Sequence, residues 1–272
     1  MYPLMRNWLI LLCLFPLGLG AQSLAKPGLA GQLWQDTRGT LIYALQSPGR
    51  ATASDWVGFG LGSAALALAF SQDGDWQAKI ASHDRLGKGF VATYLAEPFG
   101  NDLYTMPLSL GIYLLGNYIG AEPLTEIAGT AFQALLLSGG ATLVFKLAFH
   151  RERPAEQAES DPYAFGRPSL RRKHLSFPSG HTAGAFSLAT AITLATEGKW
   201  YVALPLYGLA SLSAWQRISE NRHWPSDVVA GAMIGVWAGF QAHGWRQNKK
   251  SSRLGFFIGG QGPGLQWQLD QP

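Results

Sequence analysis

The feature that most limits the fold is a series of six apolar segments, at 56–71, 103–120, 127–149, 182–196, 200–215 and 228–245. Each reads as a helix, so the chain is expected to be all-α. The segments are rich in Ala and Gly rather than Leu and Ile, and several fall short of the about 20 residues that a membrane span needs. Mean hydropathy is +0.06, low for a polytopic protein. Helices of small residues pack closely in soluble and membrane bundles alike, so these segments leave both settings open.

The ends of the chain differ from this middle. Residues 1–25 place Arg6 before an apolar run from Trp8 to Leu19, followed by Gly20, Ala21, Ser23 and Ala25. This is the pattern of a secretory signal peptide, with an uncleaved anchor as the alternative. Residues 26–55 are expected to form an N-terminal arm with a short helix around 32–46, and 56–248 one helical domain. In the polar stretch 72–102, Asp73 and Asp75 read as solvated carboxylates, and Ile80, Leu86 and Phe90 mark an amphipathic element over the bundle. The charged insertion 155–177 is either a substrate lid or a solvated connector. In the tail, 249–272, Leu254, Phe256 and Ile258 alternate, Gly-rich turn residues follow, and Leu265, Trp267 and Leu269 alternate again. That predicts a short C-terminal β-hairpin.

Charge and cysteine usage exclude several function classes. The net charge is +4 with a pI of 9.2. This suits an anionic substrate or membrane surface, and is too weak a bias for nucleic acid. The one cysteine, Cys13, lies in the N-terminal apolar run, so no disulfide, zinc site or thiol nucleophile is expected elsewhere.

Three short stretches carry chemistry. In the first, Lys146 is followed by six residues and then Arg153-Pro154. Seven residues apart on a helix, Lys146 and Arg153 share a face, and Pro154 places the helix end near Arg153. Arg offers a planar fork for two phosphate oxygens and Lys a point charge. The second is Pro178-Ser179-Gly180-His181, just before an apolar helical stretch. A helix N-terminus there presents free N–H groups to an anion, Gly180 allows close approach, Ser179 adds a hydroxyl, and His181 is placed to protonate a leaving oxygen. In the third, Arg217 precedes His223 by six residues and Asp227 follows it by four, with Pro225 at the first position of a helix. Asp227 fixes the tautomer of His223 and leaves its other nitrogen free to attack phosphorus, while Arg217 completes a cation clamp. Each stretch alone has a plainer reading: a snorkelling lysine, a helix cap, a structural His–Asp pair. Their joint occurrence argues otherwise. His150 and His174 are secondary candidates at the rim of the site, and His83 and His243 read as surface groups.

Order and spacing of the three stretches resemble the signature of the type-2 phosphatidic acid phosphatase and vanadium haloperoxidase superfamily, over roughly residues 100 to 245. One position departs: Gln216 stands where the family usually has Ser. The resemblance implies a six-helix core bundle and a metal-independent phosphatase with no cofactor. It implies His223, His181 and Asp227 as catalytic residues, and Lys146, Arg153, Ser179, Gly180 and Arg217 as phosphate-binding ones. The expected substrate is a phosphorylated lipid or a small phosphate ester, and no nucleic-acid partner is expected. Alternatives are a non-specific periplasmic acid phosphatase, or a vanadate-dependent haloperoxidase using the same anion site. The expected location is the bacterial cell envelope, either in the inner membrane or in the periplasm, with the site on the periplasmic side.

Overall fold

The structure, a computed structural model, describes residues 28–83, 89–154, 161–166, 168 and 170–254. Its elements are α1 (Leu29–Leu45), α2 (Ser47–Arg50), α3 (Ala53–Ser71), α4 (Asp73–His83), α5 (Glu97–Gly100), α6 (Asp102–Ile119), α7 (Glu122–Phe149), α8 (Gly180–Ala195), α9 (Trp200–Ser219) and α10 (Pro225–Leu254). A π-helical turn, Ala92–Ala96, leads into α5, and a 3-10 turn, Arg172–His174, precedes α8. The chain is all-α over the described residues, and the six apolar segments fall on α3, α6, α7, α8, α9 and α10. Leu254, expected as the first residue of the hairpin, ends α10 instead; the rest of that expectation, and the signal peptide at 1–25, lie outside the described residues.

Local chemistry sets the helix ends that matter for the site. Thr52 and Asp55 form a reciprocal capping box at the start of α3. Asn101 caps α6 by accepting the Leu103 N–H at 3.1 Å. The α7 helix stops at Phe149, because His150 takes a left-handed conformation with φ of 45°. This is four residues earlier than Pro154 suggested, so Arg153 is not helical, and Lys146 and Arg153 do not share a helix face.

The body of the fold begins at Asp36. At its centre lies α8, packed by α7, α9 and α10. What allows this closeness is small residues. Ala183, Ala185, Ala189 and Ala191 of α8 are buried, and alanine dominates the buried apolar set among the described residues. Along α10, Gly231, Gly235 and Gly239 recur every four residues on the face toward α8. A Cβ on Gly231 would lie 2.5 Å from the Ser179 carbonyl oxygen, and one on Gly239 would lie 2.5 Å from Thr190 Cβ. The two backbones therefore meet directly. Polar pairs lie in the same layer: Ser138 with Ser187 at 3.2 Å, fully buried, and Thr190 with Tyr207 at 2.8 Å, partly buried.

The large apolar side chains point the other way. Trp56, Val57, Phe59, Leu61 and Leu68 of α3 are all exposed, as are Leu108, Leu115, Val144, Leu147, Trp200 and Leu204 on α6, α7 and α9. Among the described residues two helices, α3 and α7, are long and apolar enough to cross a membrane.

Candidate active site

Five elements end at one place. The C-terminus of α7 brings Lys146, the N-terminus of α8 brings Ser179, Gly180 and His181, and the C-terminus of α9 brings Arg217. The turn into α10 brings His223 and Asp227. The short α5 brings Glu97, which the sequence did not single out.

The centre of this cluster is Asp227, the third residue of α10 and fully buried. Its Oδ2 accepts the backbone N–H of Trp224 at 2.9 Å, the reach-back that an acidic residue makes at a helix start, where the helix dipole also favours negative charge. The same oxygen accepts the Ser176 hydroxyl at 2.5 Å and lies 3.5 Å from Nδ1 of His223. Oδ1 accepts Nη1 of Arg151 at 2.7 Å. Burial pushes the Asp227 pKa up, but the contacts with His223, Arg151 and Ser176 outweigh it and hold the carboxyl below the ordinary carboxylate value.

His223 is buried, and its backbone N–H is fixed to the Arg217 carbonyl at 3.2 Å across the turn between α9 and α10. Burial drives the imidazole pKa well below its ordinary value. The charges of Arg153 and Lys146 act in the same sense, and Asp227 opposes them. The ring is therefore neutral at physiological pH, with Nδ1 toward Asp227 and Nε2 available.

His181 is the second residue of α8. Its Nε2 lies 3.8 Å from Oε1 of Glu97. The carboxylate is delivered there because α5 ends at Gly100, where a Cβ would lie 2.9 Å from the His181 carbonyl oxygen. Burial lowers the His181 pKa, and Glu97 works against that.

The phosphate-binding candidates divide into two kinds. Ser179 is the N-cap of α8: its Oγ accepts Thr182 N–H at 3.4 Å and the Thr182 hydroxyl at 3.0 Å. Gly180 is open, its nearest neighbour to a built Cβ being Lys146 Cε at 4.0 Å. Lys146 donates to three carbonyls, Leu175 at 2.8 Å, Ser176 at 3.3 Å and Pro178 at 2.6 Å. Its three N–H groups are thus taken by the loop before α8, and it contributes a charge rather than a free donor. Arg153 and Arg217 are different. Nε of Arg153, and Nε and Nη2 of Arg217, are buried and lack a hydrogen-bond acceptor among the described residues. Arg217 Nη2 lies 3.4 Å from the Glu220 carboxylate. Gln216, in place of the usual Ser, is buried and donates to Glu220 at 2.9 Å, on the side of α9 that steadies this carboxylate.

The largest departure from the sequence reading is Asp73. It is not solvated: it is fully buried, and its Oδ1 accepts Ser226 N–H at 2.8 Å. Its Oδ2 accepts the Ser226 hydroxyl at 2.6 Å and Nη2 of Arg151 at 2.5 Å. Arg151 is fully buried too, with Phe70 and Phe165 rings at 4.9 and 5.1 Å from its guanidinium carbon. Arg151 stood inside the first stretch, and only its buried environment shows what it does. Asp73 carried no signal, because its partner lies 78 residues away. The insertion after α7 is strapped down where it is described: Glu152 N–H to Ala164, Arg153 N–H to Lys173 and Ser176 N–H to Arg151. His174 is buried in this strap rather than set out over the site. Among the described residues no group of three or more His, Cys, Asp or Glu side chains is placed to hold a metal ion.

Several known proteins are similar. A lipid A 1-phosphatase from Porphyromonas gingivalis is 36% identical over 107 residues, which are 39% of this chain and 20% of that protein. An undecaprenyl-diphosphatase from Sulfolobus acidocaldarius is 33% identical over 87 residues, 30% of this chain and 41% of that protein. Each match spans less than half of the relative's own length. Among solved structures, Aquifex aeolicus LpxE aligns over 62% of this chain and 93% of its own, at 24% identity and a TM-score of 0.46. Residues 128–251, a region that holds all three motif stretches, match the PAP2 superfamily.

Proposed function

We propose that this protein is a phosphatase that hydrolyses phosphate esters or diphosphates carried by lipids, through a phosphohistidine on His223 and without a metal ion. The observation that carries this reading is that the buried Nε groups of Arg153 and Arg217, beside a neutral His223, lack an acceptor among the described residues. Buried donors without acceptors are costly, about 1–3 kcal/mol each, and an anion in the site relieves that cost. Nε2 of His223 attacks phosphorus, the bond from phosphorus to the ester oxygen breaks, and His181 gives its proton to that oxygen. Water then attacks the phosphohistidine, His181 takes up the proton, the P–N bond breaks, and inorganic phosphate leaves. Arg153, Arg217 and the N–H groups at the start of α8 hold the charge that builds on the equatorial oxygens.

A lipid substrate is supported by two features. Two similar proteins are named as a lipid A 1-phosphatase and an undecaprenyl-diphosphatase. The exterior of the bundle also carries its large apolar residues outward while alanines fill the interior, an arrangement suited to a bilayer and not to water. Membrane association through α3 and α7 follows, with the site at the ends of these helices; an exported site on the periplasmic side belongs to the same proposal. The test is phosphate release by purified protein from phosphatidate and undecaprenyl diphosphate in detergent micelles, with EDTA present. Turnover is the expected result. Loss of turnover in EDTA, restored by a divalent cation, would refute the metal-free mechanism.

The histidines also set a pH dependence. His223 acts neutral and His181 acts protonated, and both have pKa values below the ordinary value of about 6.5. Activity rises as pH climbs through the lowered pKa of His223, and falls as pH climbs through that of His181. The maximum of kcat/KM is therefore expected below pH ~6.5. Glu97→Gln removes the carboxylate that supports protonated His181, so the falling limb should move to lower pH while the rising limb stays. A profile still climbing above neutral pH contradicts the assignment.

A further inference from the structure

Asp73, Arg151 and Asp227 lie in line in the interior, and each end of the guanidinium is committed to one carboxylate. Nη2 meets Asp73 at 2.5 Å and Nη1 meets Asp227 at 2.7 Å, with all three side chains fully buried. The remaining guanidinium donors go to the Ser226 hydroxyl and the Pro162 carbonyl. Arg151 is thus saturated and reaches no substrate, and Asp73 is one charge further from the reaction.

We infer that Asp73 is a positioning residue for catalysis, a buried counter-charge that leaves Asp227 free to act on His223. Without Asp73, Arg151 and Asp227 would form a neutral pair, and the imidazole would face no net charge as positive charge develops on it. With Asp73 the trio sums to one negative charge. That charge is expressed at Asp227 Oδ2, the oxygen on the His223 side, while Oδ1 is used by Arg151. The other charges facing His223 are Arg153, from the segment after α7, and Lys146, from α7 itself, and both oppose a positive imidazole. A net negative charge behind Asp227 is what offsets them. Ser226 ties the device to the start of α10, since Asp73 holds both its N–H and its hydroxyl.

This inference rests on the nucleophile reading of His223, and the test separates the two. Phosphate release from phosphatidate in micelles is measured across pH for Asp73→Asn, for the double variant Asp73→Asn/Arg151→Met and for His223→Ala. Asp73→Asn should lose about tenfold to a hundredfold in kcat with KM within about twofold, by analogy with outer partners of catalytic imidazoles. Its rising limb should move to lower pH by about half a unit, because a negative charge near the imidazole has been removed. The double variant removes both charges and leaves Asp227 its own, so the limb should return toward wild type and kcat should recover about tenfold over the single variant. A purely structural role predicts no movement of the limb and no recovery. An unmoved limb in Asp73→Asn, or a folded double variant no faster than the single one, overturns the inference. If Asp73→Asn does not fold, the double variant decides: wild-type-like limb position supports the inference, and a folded double variant as inactive as His223→Ala refutes it. Turnover by His223→Ala would instead sink the nucleophile reading.

Discussion

His223→Ala is expected to release phosphate at less than about one part in 10⁴ of the wild-type kcat. The side chain supplies the only attacking atom in the proposed path, and no second buried imidazole stands on Asp227 among the described residues. Binding should survive, because the clamp of Arg153 and Arg217 with the α8 N-terminus does not depend on the ring. The loss should therefore fall on kcat, with KM within a few-fold, and a tight-binding phosphate analogue should retain its affinity. Radiolabelled phosphate trapped on the wild-type protein by rapid acid-free denaturation, and absent from the variant, would identify the intermediate directly. Normal turnover by the variant would leave the site without its nucleophile and end the proposal.

Gly235→Val should unfold the protein under conditions where the wild type is stable. A Cβ at Gly235 meets the Ala183 carbonyl oxygen, and lies 2.8 Å from both Phe186 Cβ and Ser187 N. These are backbone or near-backbone atoms of α8 that cannot swing aside. Two further carbons worsen the clash, and a β-branched residue gains little helix propensity over glycine. The expected cost is about 3 kcal/mol, a large part of an ordinary stability of about 5–15 kcal/mol. For a chain of this size that corresponds to a fall in Tm of about 6–12 °C. Gly208→Ala is the matched control: nothing lies within 4 Å of the added carbon, so replacing glycine in α9 should change stability by less than about 1 kcal/mol, toward greater stability. Equal losses for the two variants would show that helix contact at the α10 seam does not govern stability.

What the sequence revealed and what it hid follow from the range of the interactions. The six helices were legible because apolar segments and their breakers are local. The motif stretches were legible because Ser179, His181, His223 and Asp227 are grouped by helix starts, whose caps and prolines lie within a few residues. The end of α7 was misplaced because Pro154 restricts only its neighbour, whereas the actual stop is the left-handed His150, for which no glycine or proline gave notice. Free donors on Lys146 could not be judged, since the three carbonyls that occupy them come from a loop about 30 residues on. Asp73 and Glu97 were hidden for the same reason. A carboxylate in a polar stretch looks the same in sequence whether water or a guanidinium faces it.

The pairing of Asp73 with Arg151 also bears on how little of the chain can stand alone. The region that matches the superfamily begins at residue 128, and it includes every motif residue. A fragment cut to that length would keep Arg151 but lose Phe70, one of the rings beside it, and Asp73, one of its two carboxylates. Breaking a buried ion pair on one side costs about 3–5 kcal/mol. The smallest autonomous unit must therefore reach back through α4, whose first residue is Asp73. Complementation between a piece ending in the stretch 84–88 and the remainder of the chain should restore activity that neither piece has by itself.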